Sequence, residues 1–239
     1  MTLTCGSLYS GIGGADLGLE RAGFTLAWQA ECDPWRRRVL EQHWPHIPRV
    51  SRVEHAALVE LAPVDLLSIT PPASDPEWLL LIWPLVARLH PSLLVIETGL
   101  RCADALREAF PRLGYSGIGI NIACERRGLR GVSVRNSRTF AVGRAGTPEG
   151  LAELLAETEA QESLTLDEPD EGRAPGTMTQ VMEWLAGLPI GWTCLCGQPP
   201  GQCAETGARL LACNDAIAPA LTQWLGGRLR ALLPQEVAA

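Results

Sequence analysis

The sequence contains no lysine. All 20 of its basic residues are arginine, and they stand against 27 acidic residues for a formal net charge of −7. A protein that coats nucleic acid without regard to sequence needs an excess of positive charge, so the composition argues against that class. Long apolar runs are also absent. The longest, residues 78–87, is ten residues long and contains Pro84, whereas a bilayer needs about 20, so no membrane contact is expected.

Residues 1–10 carry no basic cluster ahead of an apolar stretch, which predicts no secretory signal and a cytoplasmic location. The eight cysteines are therefore expected to be reduced. Three of them cluster, Cys194, Cys196 and Cys203, but the four histidines all lie more than a hundred residues upstream. A zinc site and a Gly/Pro-rich loop that carries thiols both remain open there, and no metal site is assigned.

What the chain does contain is enough apolar material for a packed core. Of its 239 residues, 46% are hydrophobic and the mean hydropathy is +0.07, which excludes a disordered chain. The charge is unevenly distributed. Residues 145–172 hold nine acids and no arginine, so the remainder of the chain has a net charge of +2.

The apolar periodicity predicts strands that mostly alternate with helices. Strands are predicted at residues 3–9, 24–30, 64–69, 93–96, 115–123 and 139–142, and helices at 15–22, 35–44, 77–89, 151–159 and 216–232. This pattern indicates an α/β fold with a doubly wound, mostly parallel sheet. It suggests a core over 1–144, an acidic linker or insertion over 145–177, and a C-terminal segment over 178–239 that closes the core.

A glycine-rich turn, Ser10-Gly11-Ile12-Gly13-Gly14, joins the first predicted strand to the first helix. Such a turn places backbone N–H groups and a helix N-terminus beside a nucleotide-like ligand, although a tight strand-to-helix connection also explains it. Glu31 ends the next strand, where an acid accepts hydrogen bonds from ribose hydroxyls. Together the two features favour a cofactor that contains a nucleoside.

Residues 8–14 and 17–24 resemble the opening motif of the DNA cytosine-5 methyltransferase family, which binds S-adenosylmethionine. Five later segments resemble that family's motifs in the same order. They are Asp65-Leu66-Leu67 leading to Pro71-Pro72 (family Pro-Pro-Cys), Val95-Ile96-Glu97 (Glu-Asn-Val), residues 131–143 (Gln-x-Arg-x-Arg), residues 188–193 and residues 214–219. The resemblance implies the Rossmann-like fold of S-adenosylmethionine-dependent methyltransferases.

The resemblance also implies a cofactor site. Its residues here are Tyr9, Ser10, Gly11, Gly13, Gly14, Glu31, Pro72 and Asn214. Tyr9 stacks on adenine and Glu31 holds the ribose. The family's acid for the adenine amino group is missing, because Ser51 or Arg52 falls at its position. We therefore expect weakened S-adenosylmethionine binding, with an empty or repurposed pocket as the alternative.

In that family a cysteine thiolate attacks C6 of an extruded cytosine, while a glutamate and an arginine contact N3 and O2. Glu97 and Arg138 match the last two, or form a residual ion pair in a disused cleft. The nucleophile position holds Ala73, which cannot form the covalent adduct. Neighbouring motifs also depart from the family pattern, as in Glu97-Thr98-Gly99, which favours natural loss over an engineered substitution.

These departures predict a catalytically inactive homologue that acts as a binding or regulatory module. The alternative is an active enzyme that works in a complex or through a relocated cysteine, Cys102 or Cys124. Acidic residues 145–172 stand where the family has its DNA-reading region, so DNA binding by this chain alone is expected to be weak. The segment is either a solvated linker or an acidic element that docks a basic protein partner or imitates DNA.

Overall fold

The computed structural model describes residues 2–56, 59–71, 77–98, 102–127, 133–146, 150–151, 153, 164–165, 175–197 and 207–233. Its strands are β1 (Thr4–Leu8), β2 (Thr25–Ala30), β3 (Arg49–Val50), β4 (Leu66–Ile69), β5 (Leu93–Glu97), β6 (Tyr115–Arg127), β7 (Ser133–Ala145) and β8 (Leu164–Thr165). Its helices are α1 (Gly14–Arg21), α2 (Pro34–His43), α3 (Val53–Ala56), α4 (Trp78–Leu89), α5 (Ala103–Arg112), α6 (Met178–Leu185), α7 (Gly207–Asp215) and α8 (Pro219–Leu229), followed by a 3₁₀ turn at Arg230–Leu232.

The strands form one sheet in the order β3-β2-β1-β4-β5-β7-β6-β8. Strands β1 to β5 pair in parallel, and β7 runs antiparallel to both β5 and β6. The predicted doubly wound, mostly parallel sheet is thereby confirmed. The chain moves outward from β1 in one direction through β2 and in the other through β4. That reversal opens a crevice at the carboxyl ends of the strands, where α/β sheets bind ligands.

Both faces of the sheet are buried, which explains why its central strands are mostly apolar on both faces, with buried Ser7 in β1 and buried Ser68 in β4 as exceptions. In β5, Leu93 and Val95 face a cluster that α1, α2 and α8 cover, while Leu94 and Ile96 face a second cluster under α4 and α5. Successive side chains of a strand point to opposite faces of the sheet, so each strand contributes to both hydrophobic clusters.

Helices α1 and α8 approach so closely that only glycine fits at their contact. A Cβ atom on Gly18 would lie 2.0 Å from Thr222 Oγ1 and 2.2 Å from the carbonyl oxygen of Pro219. The Thr222 hydroxyl donates instead to the Ala15 carbonyl oxygen at 3.1 Å. The C-terminal segment thus packs directly on the first helix.

The structure corrects several predicted boundaries. The last helix begins at Pro219, not at residue 216, because Ala218 is extended (φ −62°, ψ 124°) and a proline starts a helix readily. Strands β6 and β7 are longer than predicted since they pair with each other over 13 residue pairs. Helices α3, α5, α6 and α7 and the two-residue strands β3 and β8 were not predicted. Apart from residues 151 and 153, the helix predicted at 151–159 lies outside the described residues.

The described residues contain no helix with both the length and the apolar character needed to cross a bilayer.

The α1–α8 contact predicts that Gly18→Ala lowers the free energy of unfolding by about 2–3 kcal/mol. The added methyl group has no space, and its effect outweighs the better helix propensity of alanine. Urea unfolding followed by circular dichroism measures the change. Gly227→Ala, in α8 with nothing within 4 Å of a new Cβ, is the matched control and is expected to be neutral or slightly stabilising. Equal losses in both variants would contradict the described packing.

Candidate functional site

A cleft of about 610 Å³ lies at the carboxyl ends of β1, β2, β4 and β5 and is closed on one side by the end of α7. Most of the site residues predicted from the sequence line it. They are Tyr9, Ser10, Gly11, Gly14, Glu31, Glu97, Arg138 and Asn214. Ser51 and Arg52 do not line it, and Pro72 and Ala73 lie outside the described residues. The fold therefore brings together segments that are up to 205 positions apart in the sequence.

Glu31 fixes the conformation of the glycine turn. Its Oε2 accepts a hydrogen bond from the Gly11 N–H at 2.7 Å, and its Oε1 accepts one from the Asp33 N–H at 2.9 Å. Gly11 has a φ of +60°, and a Cβ atom there would point into open space. A carboxylate has about four lone-pair sites, so buried Glu31 can still accept hydrogen bonds from a ligand. The backbone at Gly11, next to it, leaves space for that ligand.

The other two glycines of the turn are required by packing. Gly13 does not line the cleft. Its φ is +85°, and a Cβ there would lie 2.4 Å from the Trp44 ring. A Cβ on Gly14 would lie 2.2 Å from the Ile217 carbonyl oxygen. The sequence motif thus combines one position open to a ligand with two at which a side chain would collide with the protein.

Tyr9 occupies the left-handed region at the end of β1, with a φ of 56°. The hydroxyl of Thr70 donates to the Tyr9 carbonyl oxygen, which ties the ends of β1 and β4 together. Burial, with smaller contributions from Glu54 and Cys32, raises the pKa of the Tyr9 phenol to about 12. The ring is therefore neutral at physiological pH, as stacking on an uncharged base requires.

Glu97 and Arg138 form an ion pair within the cleft. Glu97 ends β5 and is paired with Phe140 of β7, so Arg138, two residues earlier on β7, projects beside it. Arg138 Nε lies 2.9 Å from Glu97 Oε1, although the N–H is not aligned for a hydrogen bond. Burial raises the pKa of Glu97, Arg138 opposes the rise and Asp215 adds to it. This carboxyl is therefore suited to holding a proton opposite a basic ring nitrogen.

Residues 3–75 match the family model of the C-5 cytosine-specific DNA methylases. The match covers less than a third of the chain but takes in the glycine turn, Glu31 and Ala73. Among proteins with curated descriptions, none matches this sequence.

Solved structures match almost the whole chain. S. pombe Dnmt2 methyltransferase is 12% identical with a TM-score of 0.66, and the match covers 96% of this chain and 99% of that one. A protein described as a DNA modification methyltransferase encoded within an E. coli prophage is 14% identical with a TM-score of 0.65, covering 98% and 100%. The methyltransferase EhMeth of Entamoeba histolytica is 8% identical with a TM-score of 0.60, covering 98% and 100%. This chain has the S-adenosylmethionine-dependent methyltransferase fold. At such identities the likeness establishes the fold alone.

The described residues that line the cleft of this methyltransferase fold have an excess of negative charge. Among them are four carboxylates, from Glu31, Asp33, Glu97 and Asp215, and two guanidinium groups. Both guanidinium groups are paired with acids, because Arg36 Nη2 lies 3.1 Å from Asp215 Oδ2 and Arg138 pairs with Glu97. The lining therefore attracts a cationic ligand and repels a polyanion.

Two of the described residues that line the cleft carry thiols. Cys102 is buried close to the end of β5, and Cys32 is exposed beside Glu31. Burial and the Glu31 carboxylate raise the pKa of Cys32, so its reactive thiolate form is disfavoured. Cys124 lies in β6, but its side chain is outside the described part of the structure.

A loop of the C-terminal segment contacts the glycine turn through Trp192. Trp192 Nε1 donates to the Ile12 carbonyl oxygen at 2.7 Å, and the ring stacks on His43 at 3.4 Å between centroids. The loop itself is held by buried Glu183, which accepts hydrogen bonds from the N–H groups of Gly191 and Thr193. The family-like segment 188–193 includes Trp192, but its contact with Ile12 and the role of Glu183 were not predicted, since nothing local marks a contact across 180 positions.

Asp16 was also missed. It is fully buried in α1, where Gln29 Nε2 donates to its Oδ2 at 2.7 Å. Its Oδ1 and the Gln29 Oε1 have no hydrogen-bond partner. Burial raises the pKa of Asp16 to about 6, against hydrogen bonds from Ser7 and Gln29 that lower it. A single acid among the inward-facing positions of α1 is the signal that marks it in the sequence.

The raised pKa of Asp16 makes the stability of the fold depend on pH. The folded state keeps the proton up to about pH 6, whereas the unfolded chain loses it near its ordinary value of about 4. This group's contribution to stability is therefore lost as pH rises from about 4 to about 6, by about 3 kcal/mol. The Asp16→Asn variant should not lose this stability as pH rises, because asparagine does not titrate.

Urea titrations of both proteins at pH 4 and pH 8 measure the difference. Relative to the wild type, Asp16→Asn should gain stability between the two values. Glu108→Gln, an exposed acid in α5, is the control and should follow the wild type. Parallel pH profiles for Asp16→Asn and the wild type would show that Asp16 does not titrate in this range.

Proposed function

We propose that this protein is a member of the C-5 cytosine-specific DNA methylase family that binds S-adenosylmethionine, does not transfer its methyl group, and serves as a binding or regulatory module in DNA modification. One observation carries the proposal. Residues matching both halves of the family's site line a single cleft, Tyr9 and Glu31 for the cofactor and Glu97 and Arg138 for a base, while the sequence holds Ala73 at the nucleophile position.

The cleft residues fit S-adenosylmethionine. Glu31 has acceptor capacity for ribose hydroxyls, and Tyr9 offers a neutral ring for adenine. Gly11 leaves open a space that a side chain would occupy. When bound, S-adenosylmethionine supplies an electrophilic methyl group on a sulfonium cation. The acid-rich lining favours that cation over the phosphates of a dinucleotide.

The base half of the cleft is suited to recognition without chemistry. Burial raises the pKa of Glu97, which favours uptake of a proton by this carboxyl from a bound base, and Arg138 presents guanidinium donors beside it. These two groups orient a pyrimidine through its N3 and O2 atoms. Alanine at position 73 cannot add to C6, so C5 of the base is not made nucleophilic and the methyl group stays on the cofactor.

A role with a partner follows from the charge distribution. Residues 145–172 carry nine acids and no arginine, which disfavours independent binding to a phosphate backbone. The segment is suited to a basic protein surface, such as that of an active DNA-modifying enzyme. The proposal includes a cytoplasmic location for this complex.

An active methyltransferase with a relocated nucleophile is the second candidate. It is favoured by one observation, namely that Cys102 lines the same cleft as Glu97. In that case the Cys102 thiolate would attack C6, and base extrusion would be needed to bring the ring to it.

Cofactor binding is tested by calorimetric titration with S-adenosylmethionine and with its demethylated product. Glu31→Gln keeps an acceptor for the Gly11 N–H but removes the charge, so it should weaken binding of the sulfonium form about tenfold, or about 1.4 kcal/mol. Glu41→Gln, on α2 and outside the cleft lining, is the control and should bind as the wild type does. An absence of heat with either ligand would refute the cofactor half of the proposal.

Catalysis is tested by transfer of a tritiated methyl group from S-adenosylmethionine to cytosine-containing DNA. We expect no incorporation by the wild type, by Cys102→Ser or by Ala73→Cys, because the DNA-reading region is lost along with the nucleophile. Incorporation by the wild type that disappears in Cys102→Ser would establish the second candidate. Methylation recovered by Ala73→Cys would mean that only the thiol had been lost.

A further inference from the structure

A buried carboxyl and a buried amide are paired at the start of α1, two residues after the glycine turn. Gln29 Nε2 donates to Asp16 Oδ2 at 2.7 Å, and both side chains are fully buried. Within the described part of the chain, the second oxygens of the two groups, Asp16 Oδ1 and Gln29 Oε1, have no hydrogen-bond partner. Both atoms are acceptors while Asp16 is ionised, and a buried acceptor without a donor is unfavourable.

A proton on Asp16 supplies the missing donor. A carboxylic acid donates one hydrogen bond through its O–H group, and its other oxygen still accepts. An acid and a primary amide can therefore exchange two hydrogen bonds, one from the amide nitrogen and one from the acid. The ionised acid makes only the first of these, so the proton strengthens the link that the pair forms between α1 and β2.

The groups around Asp16 place its proton exchange in an accessible pH range. Burial is the main cause that raises its pKa to about 6, and hydrogen bonds to the carboxylate oppose the rise. The charge of Glu20, one turn further along α1, raises the pKa, while Arg49 of β3 lowers it. The nearby thiol of Cys5 in β1 is uncharged, because burial raises its own pKa well above the ordinary value. Asp16 therefore changes from acid to carboxylate as pH rises through about 6.

Hydrogen bonds connect this pair to the cofactor half of the cleft. Two residues after Gln29, the Glu31 carboxylate accepts the N–H of Gly11 at 2.7 Å. The intervening carbonyl oxygen of β2 accepts the N–H of Ser10 at 3.1 Å. Ser10, Gly11 and Glu31 all line the cleft. The glycine turn is thus tied to the end of β2 at its start, and the Asp16–Gln29 pair ties the helix that follows the turn to the same strand.

We propose that Asp16 is a positioning residue for the ligand of the cleft, and that the glycine turn has its binding geometry while Asp16 carries a proton and exchanges two hydrogen bonds with Gln29. Loss of the proton leaves the pair with two unsatisfied acceptors, so the link from α1 to β2 weakens. Ligand affinity therefore falls as Asp16 ionises. By linkage, a bound ligand favours the protonated acid, and binding takes up a proton. This inference rests on the proposed binding of S-adenosylmethionine.

Calorimetric titration of the full chain with the demethylated product of S-adenosylmethionine, at pH 5 and at pH 8, tests the proposal. This ligand lacks the sulfonium charge, so a carboxylate at Asp16 does not attract it as a cation. Asp16→Asn keeps an amide that can exchange two hydrogen bonds with Gln29 and does not titrate. Between the two pH values, Kd should rise about tenfold more in the wild type than in Asp16→Asn.

Glu20→Gln, which removes a neighbouring acid of α1 that is not paired with Gln29, is the matched control and should keep the pH dependence of the wild type. Thermal melting at both pH values checks that each variant is folded.

The pKa of Asp16 itself, measured from its carboxyl carbon by NMR, is a second readout and should rise when the ligand is added. Equal pH dependence of Kd in the wild type and in Asp16→Asn would overturn this inference alone, as would an Asp16 pKa that the ligand leaves unchanged. An absence of binding at both pH values would overturn the proposed cofactor and this inference with it.

Discussion

The contact between the backbones of α1 and α8 is the constraint on which the rest of the molecule depends. Gly18 lies so near Pro219 and Thr222 that no side chain fits between the helices, and Gly14 meets the Ile217 carbonyl oxygen in the same way. The beginning and the end of the chain are therefore one packing unit. The Trp192 hydrogen bond to Ile12 extends that unit to the glycine turn. The shape of the cleft follows from this closure, since α7, which precedes α8, forms one of its walls.

The charged groups of the cleft have two roles, in that some hold its walls together and others set its net charge. Glu97 with Arg138 ties β5 to β7, and Arg36 with Asp215 ties α2 to α7, so both guanidinium groups serve to hold walls together. The remaining acids give the space between those walls its negative charge. Glu31 has both a structural role and a charge that faces the cleft, because its carboxylate holds the glycine turn in place before a ligand binds. A ligand that uses Glu31 does not have to order it first, which lowers the entropic cost of binding.

Much of the fold was predictable, because the buried strands are rich in apolar residues and each of the first two helices follows a glycine or an aspartate signal. Helix α5 was not predicted, although Leu106 and Phe110 have helical spacing. The lengths of β6 and β7 were not predicted either, since they depend on pairing with each other.

Most of the expected site residues line the cleft, because the carboxyl ends of parallel strands share one edge of a sheet. The buried pair of Asp16 with Gln29 and the contact of Trp192 with Ile12 were not predicted, and in the second case the two residues lie 180 positions apart. The role of the acidic segment stays a prediction.

The glycine-rich turn also bears on how such motifs are interpreted. Gly13 is limited by the Trp44 ring, Gly14 by the Ile217 carbonyl oxygen and Gly18 by the last helix. Close contacts within the protein therefore account for three of the four glycines between residues 11 and 18. Only Gly11 faces open space. A descendant that no longer bound any nucleoside would therefore remain under pressure to keep most of the motif merely to stay folded. The glycine motif therefore reflects both ligand binding and the packing of the fold. Gly11, Tyr9 and Glu31 are the positions at which a requirement for binding can be told apart from a requirement for folding.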